Sequence, residues 1–209
     1  CTTLETNSIE HLSIAFTGAT DSALSAVATA TRVGSPLRNI SLCGNLVGPL
    51  GATAIAEALE LVGRASALRK LNLSANHMMD SAAVVSLAGA LPASHLTHLE
   101  LCGCSINGHA CGRLAVTLPA STLSLLDLSA NPFGDEGAWG LAWALPECLE
   151  LRTLLLSDCE IGDDGADELH DAMLASPSVA YMDLRGNKIR PDHELANDRR
   201  INLAFQRGK

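Results

Sequence analysis

One pattern, L-x-x-L-x-L followed three residues later by Asn, Cys or Thr, begins at Ile9, Leu37, Leu68, Leu96, Leu123, Leu151 and Val179, at intervals of 28, 31, 28, 27, 28 and 28 residues. Seven copies at so steady a period predict a stacked array in which each unit buries its apolar side only against its neighbours. Within a copy, L-x-L alternates at period two, as one face of a β-strand requires. The following G-A-W-G-L-A-W-A-L spaces Ala138, Leu141, Ala142 and Leu145 at helical period. Each unit is therefore one strand and one helix, with strands expected to begin near residues 11, 39, 70, 98, 125, 153 and 181. The interval of 31 comes from three extra residues between Leu59 and Leu68. They fall in the return from helix to strand, where added length costs little loop-closure entropy.

These residues resemble the leucine-rich repeats of the ribonuclease-inhibitor-like subfamily, with its L-x-x-L-x-L-x-x-(N/C)-x-(L/I) motif and G-x-x-G-A-x-x-L-A-x-A-L helix. The ninth position reads Thr17, Asn45, Asn76, Cys104, Asn131, Cys159 and Asn187. The resemblance covers residues 9–189 and implies an α/β solenoid, a horseshoe arc with a parallel sheet on its concave face and helices outside. A single domain spanning 1–209 is expected. The last copy departs from the pattern: Pro191 follows Ile189, and Asn197 and Asp198 stand where a buried leucine belongs, so the seventh helix is expected to be short or poorly formed. Residues 190–209 read as an irregular cap or the start of a further repeat, with Ile201 and Leu203 of DRRINLAFQ turned inward.

An apolar content of 47% and a mean hydropathy of +0.21 suffice for a buried core. No apolar run approaches a membrane span, and CTTLETNSIE has neither region of a signal peptide, so a soluble, cytoplasmic chain is expected. Because the first residue is Cys, the chain reads as one segment of a longer protein. Seven cysteines make an odd set that suggests no disulfide framework. Charge is unevenly placed: residues 1–184 carry 7 basic and 20 acidic side chains, residues 185–209 carry 7 and 3. The acidic body argues against nucleic acid as a partner. Residues 123–178 hold 12 acidic side chains and one basic residue, Arg152, which favours a basic protein surface as the partner.

The most enzyme-like cluster is Cys102, Cys104, His109 and Cys111. The repeat frame sends Cys104 inward, Cys102 to the concave face and Cys111 to the helix interior, whereas zinc needs four converging ligands. Neither a metal nor a cofactor is expected, and no nucleophile or phosphate-loop motif is present. The Ran-directed GTPase-activating proteins also carry leucine-rich repeats, and the concave Arg38, Arg69, Lys70 and Arg152 keep that activity as the alternative. Against it, that family bears an acidic tail and this chain ends in a basic one.

The exposed strand positions can be read from the frame. The third positions are His11, Asn39, Lys70, His98, Leu125, Thr153 and Tyr181; the fifth are Ser13, Ser41, Asn72, Glu100, Asp127, Leu155 and Asp183. Glu100, Leu125, Asp127, Leu155, Tyr181 and Asp183 form a candidate concave contact patch. On the helix of the fifth repeat, Trp139 and Trp143 lie one turn apart and opposite the Ala138, Leu141, Ala142, Leu145 face, which makes them a candidate convex docking pair. The expected function is therefore a non-enzymatic protein-interaction module or scaffold.

Overall fold

The computed structural model describes residues 9–31, 35–193, 195 and 198–203. Eight parallel strands follow one another in chain order: β1 (His11–Ser13), β2 (Asn39–Ser41), β3 (Lys70–Asn72), β4 (His98–Glu100), β5 (Leu125–Asp127), β6 (Thr153–Leu155), β7 (Tyr181–Asp183) and β8 (Ile201–Asn202). All seven expected strands start where the leucine frame places them. The connecting helices are α1 (Asp21–Ala30), α2 (Pro49–Val62), α3 (Ser81–Ala90), α4 (Gly108–Ala115), α5 (Gly134–Ala144) and α6 (Asp163–Ala175). The chain is thus an α/β solenoid with an open parallel sheet.

Register follows the motif without slippage. The fourth positions Leu12, Ile40, Leu71, Leu99, Leu126, Leu154, Met182 and Ile201 pair in one line across the sheet. From the second to the last of these they are buried, as are Leu42, Leu73, Leu101, Leu128, Leu156, Leu184 and Leu203 at the sixth positions. The opposing helices contribute Leu24, Ile55, Leu87, Leu114, Leu141 and Leu169. Burying one such side chain stabilises by roughly 1.5–3 kcal/mol, and the contribution recurs in every unit.

Helix length is set at both ends by local chemistry. Leu-Pro follows three of the helices, at Leu91, Leu118 and Leu145, and there the chain tightens into a 3-10 turn. The leucine is buried and the proline has no amide with which to continue an α-helix. The three extra residues after Leu59 are absorbed by the 14-residue α2 and the 3-10 turn at Gly63–Ala65.

Position eight of every repeat has a left-handed backbone: Phe16, Gly44, Ala75, Gly103, Ala130, Asp158 and Gly186 all have φ between 55° and 71°. This reversal ends the strand and, from the second repeat to the sixth, buries position nine in the core. There Asn131 accepts from the Cys104 and Ile106 amides of the preceding repeat (2.9 and 3.0 Å) and donates to the Leu101 and Leu128 carbonyls (both 2.8 Å). Asn45 and Asn187 do the same for their preceding repeats. Where cysteine stands instead, the Cys104 thiol donates to Leu73 O and the Cys159 thiol to Leu128 O (3.2 and 3.3 Å).

Asp80 caps its own helix by accepting from the Ala83 amide at 2.8 Å, whereas Asp21 and Asp135 act across repeats. Asp135 Oδ1 accepts from the Gly162 amide at 2.7 Å, and Asp21 Oδ1 from Gly48 at 2.6 Å. This explains the second glycine of G-x-x-G: a Cβ on Gly165 would stand 2.4 Å from Asp135 Oδ1, and one on Gly51 2.7 Å from Asp21 Oδ1. At the C-terminal end, no α-helix lies between β7 and β8 among the described residues. Leu195, Ile201 and Leu203 are buried, and Asp198 is held by Arg200 and His170. Asn197 and residues 204–206 lie outside the described residues. None of the described helices is long and apolar enough to cross a membrane.

Candidate binding surfaces

The third, fifth and seventh positions of the strands emerge on the concave side because successive residues of a strand alternate faces. Cross-strand pairing sets His98 beside Leu125, then Thr153, then Tyr181, and Glu100 beside Asp127, then Leu155, then Asp183. Five of the six expected concave residues, Glu100, Leu125, Asp127, Leu155 and Tyr181, are therefore close neighbours on one continuous face, each half-buried by the row beside it.

Glu100 and Asp127 form the polar centre of this face. Asn72 donates to Glu100 Oε2 at 2.5 Å, and Asp127 Oδ1 accepts from the Ser129 amide at 2.9 Å. Burial, and then the neighbouring charge of Asp127, push the Glu100 carboxyl above its ordinary range; Lys70 and the Asn72 amide pull in the other direction but do not cancel them. Beside it, burial and then Lys70 hold His98 below the usual histidine range. A carboxylate held against its own tendency to protonate is well suited to an incoming cation. Tyr181 closes the patch on the far side, its hydroxyl accepting from Asn202 Nδ2 at 3.2 Å.

Asp183 departs from expectation. Its side chain is 5% exposed, and Arg185 clamps it through Nε (2.9 and 3.0 Å) and NH2 (2.6 Å). Although burial works to raise its carboxyl, the Arg185 hydrogen bonds prevail and hold it below the ordinary range. Asp183 is a closed ion pair rather than an open carboxylate. The seventh-position row that supplies Arg185 lies on the same concave face as the third and fifth by the period-two rule, so the clamp could have been found from the spacing alone.

The cysteines take the divergent places that the frame gives them. Cys104 and Cys159 lie in the ladder, and Cys111 donates to Gly137 O in the helix layer. Burial pushes the Cys104 and Cys159 thiols up to about 12 and raises Cys43 and Cys102 less. Among the described residues no three His, Cys, Asp or Glu side chains gather as a metal site. Of the basic residues expected on the concave face, Arg69 NH1 donates to Ser66 O and Leu68 O, Arg152 NH1 to Ser178 O, and Arg38 pairs with Glu10; all three precede their strands at the second position. These guanidinium groups are engaged by the chain itself.

On the convex side, Trp139 and Trp143 are 52% and 74% exposed. They border a groove between α5 and α6 with Ala142, Pro146, Glu168, Asp171, Ala172 and Ala175. Val116, at the end of α4 on the other side of α5, is itself exposed.

The sequence matches the family described as Leucine Rich repeat at residues 120–142 and 148–169. It is 34% identical to ribonuclease inhibitor from Mus musculus over 124 residues, 57% of this chain and 27% of that protein. It is also 34% identical to NACHT, LRR and PYD domains-containing protein 13 from Homo sapiens over 128 residues, 60% of this chain and 12% of that one. The matched stretch is thus a small part of each relative's length. Among solved structures, internalin C2 of Listeria monocytogenes superposes with a TM-score of 0.50 at 18% identity, covering 94% of this chain and 80% of that one. The Rad7 and Elc1 complex from yeast gives a TM-score of 0.54 at 14% identity, covering 88% and 50%. At these identities the likeness concerns the fold.

Proposed function

We propose, from the premise that the chain is a leucine-rich-repeat protein of the ribonuclease-inhibitor-like kind, that it is a non-enzymatic protein-interaction module whose partner docks on the concave face around β4–β7. One observation carries this reading. Glu100 and Asp127 stand side by side across β4 and β5 with no ion-pair partner among the described residues, next to Leu125, Leu155 and Tyr181. A partner that brings a lysine or arginine to the carboxylates and an apolar side chain to Leu125 and Leu155 relieves like-charge repulsion and buries area at the same place. The acidic excess of residues 123–178 steers such a partner from a distance. The name of ribonuclease inhibitor describes that protein as the binder of another protein, and the same mode of action is proposed for this chain.

A photo-crosslinking residue in place of Leu155, compared with one in place of the exposed convex Leu61, tests the face. Discrete protein adducts from position 155, abolished by Asp127→Ala, are expected. Equal adduct patterns from both positions would overturn the concave assignment.

A further inference from the structure

The outer side of α5 and α6 encloses an open groove of about 420 Å³, and its lining is chemically divided. Trp139, Trp143 and Pro146 border it from α5 and the turn that follows, while Glu168 and Asp171 border it from α6. Between them lie alanines, Ala142, Ala172 and Ala175, too short to cover an indole. Two indoles thus remain largely in water at a place where one longer side chain on α6 would have roofed them.

The carboxylates of α6 divide in the same way. The basic C-terminal segment folds back on the first turns of this helix: Arg190 pairs with Asp163, and His193 lies 3.4 Å from Asp167. Lys188 goes to Glu160 and Arg200 to Asp198. Glu168 and Asp171, the two acids in the groove, receive no cation from any described residue. Arg152, the one basic residue of 123–178, immediately precedes β6 and has its guanidinium on Ser178 O. The groove therefore presents aromatic faces opposite unneutralised carboxylates.

We propose that this groove receives an arginine-bearing segment of a partner protein, independently of the concave face. The guanidinium plane stacks on an indole and directs its N–H groups to Glu168 and Asp171, and flanking apolar side chains cover the remaining indole surface. Arginine fits where lysine does not, because its flat, weakly hydrated cation combines stacking with a two-pronged donor. The charge complementarity and the division of the lining both point to that occupant.

The two tryptophans are the only ones in the chain, so their fluorescence reports on the groove directly. The probe is a blocked Leu-Arg-Leu-Arg peptide titrated into the intact 209-residue chain, beside the same peptide with citrulline, which keeps the plane and removes the charge. Saturable quenching is expected, at least tenfold weaker with citrulline and weakened by raising salt. The Glu168→Gln/Asp171→Asn variant should lose at least fivefold in affinity with an unchanged denaturation midpoint. By calorimetry, Trp139→Ala/Trp143→Ala should abolish binding, again without a change in midpoint, while Asp127→Ala on the concave face should leave it intact. Equal binding of the citrulline peptide, or no saturable binding, overturns the proposal. So does a Trp143-dependent dimer in sedimentation, which would mean that a second copy fills the groove, and so does a large fall in the midpoint of the tryptophan variant, which would make the indoles packing residues.

Discussion

An asparagine at the ninth position satisfies backbone groups that are not its own. Asn131 serves two amides and two carbonyls with one buried side chain, so Asn131→Ala leaves several buried polar groups without partners at once. A loss of about 3 kcal/mol or more is expected in urea denaturation. Cys104→Ala, at the matching position one repeat earlier, removes one thiol contact to Leu73 O and should cost about 1 kcal/mol. Equal losses would refute the ladder as the source of the difference. Glu100 allows a test by pH. Its folded-state carboxyl titrates above the ordinary 4.5, so the stability this group contributes is fully present below that value and is lost as pH rises through the folded value. Glu100→Gln keeps an acceptor for Asn72 and removes the charge. Its midpoint should exceed that of the native chain at pH 7, and the two should converge below about pH 4. A lower midpoint at pH 7 would mean that Lys70 and Asn72 outweigh burial.

At the scale of elements, α4 and α5 touch through glycines, and the contact is one-sided. A Cβ on Gly140 would stand 2.9 Å from Gly112 Cα, whereas a Cβ on Gly112 meets nothing within 4 Å. The same substitution should therefore have opposite signs: Gly112→Ala gains about 0.5–1 kcal/mol of stability through helix propensity, and Gly140→Ala loses about 1–3 kcal/mol by pushing the helices apart. Thermal denaturation of the two variants decides it, and a gain from both would show that the helices can separate freely. Strand positions, register and helix phase were legible in the sequence because a period of two or 3.6 is a geometric constraint on each leucine. The divergent cysteines and the outward tryptophans followed from the same frame. What escaped were contacts between repeats that obey no hydropathy pattern. Asp135 could be placed at a helix entrance, but its reach to Gly162 depends on the spacing of neighbouring repeats. The clamp of Arg185 on Asp183, by contrast, joins the fifth and seventh positions of a single repeat and needed only the period-two rule.

Across the whole molecule, the charge asymmetry of the chain is partly resolved in space: the basic C-terminal residues lie on acids of the sixth repeat and the cap. The Lys188–Glu160 and Arg190–Asp163 pairs have largely exposed basic members, and exposed ion pairs contribute little. The net charge of -9 makes the remaining repulsion the larger effect. Raising salt from about 50 to 300 mM, which shortens the screening length to well under 10 Å, should raise the melting temperature. A fall would assign the balance to the ion pairs. The ladder also has a consequence for time. Each rung depends on the repeat after it, and among the described strands β1 pairs with β2 alone whereas β4 and β5 are paired on both sides, so in the 209-residue chain opening should reach the first rung before the fourth. Asn45 holds the Thr17 and Ala19 amides at 3.0 Å, much as Asn131 holds those of Cys104 and Ile106. In deuterated water the first pair should nevertheless exchange far sooner than the second, so that the lifetime of a proton reports how far along the row its repeat stands rather than the bond that holds it.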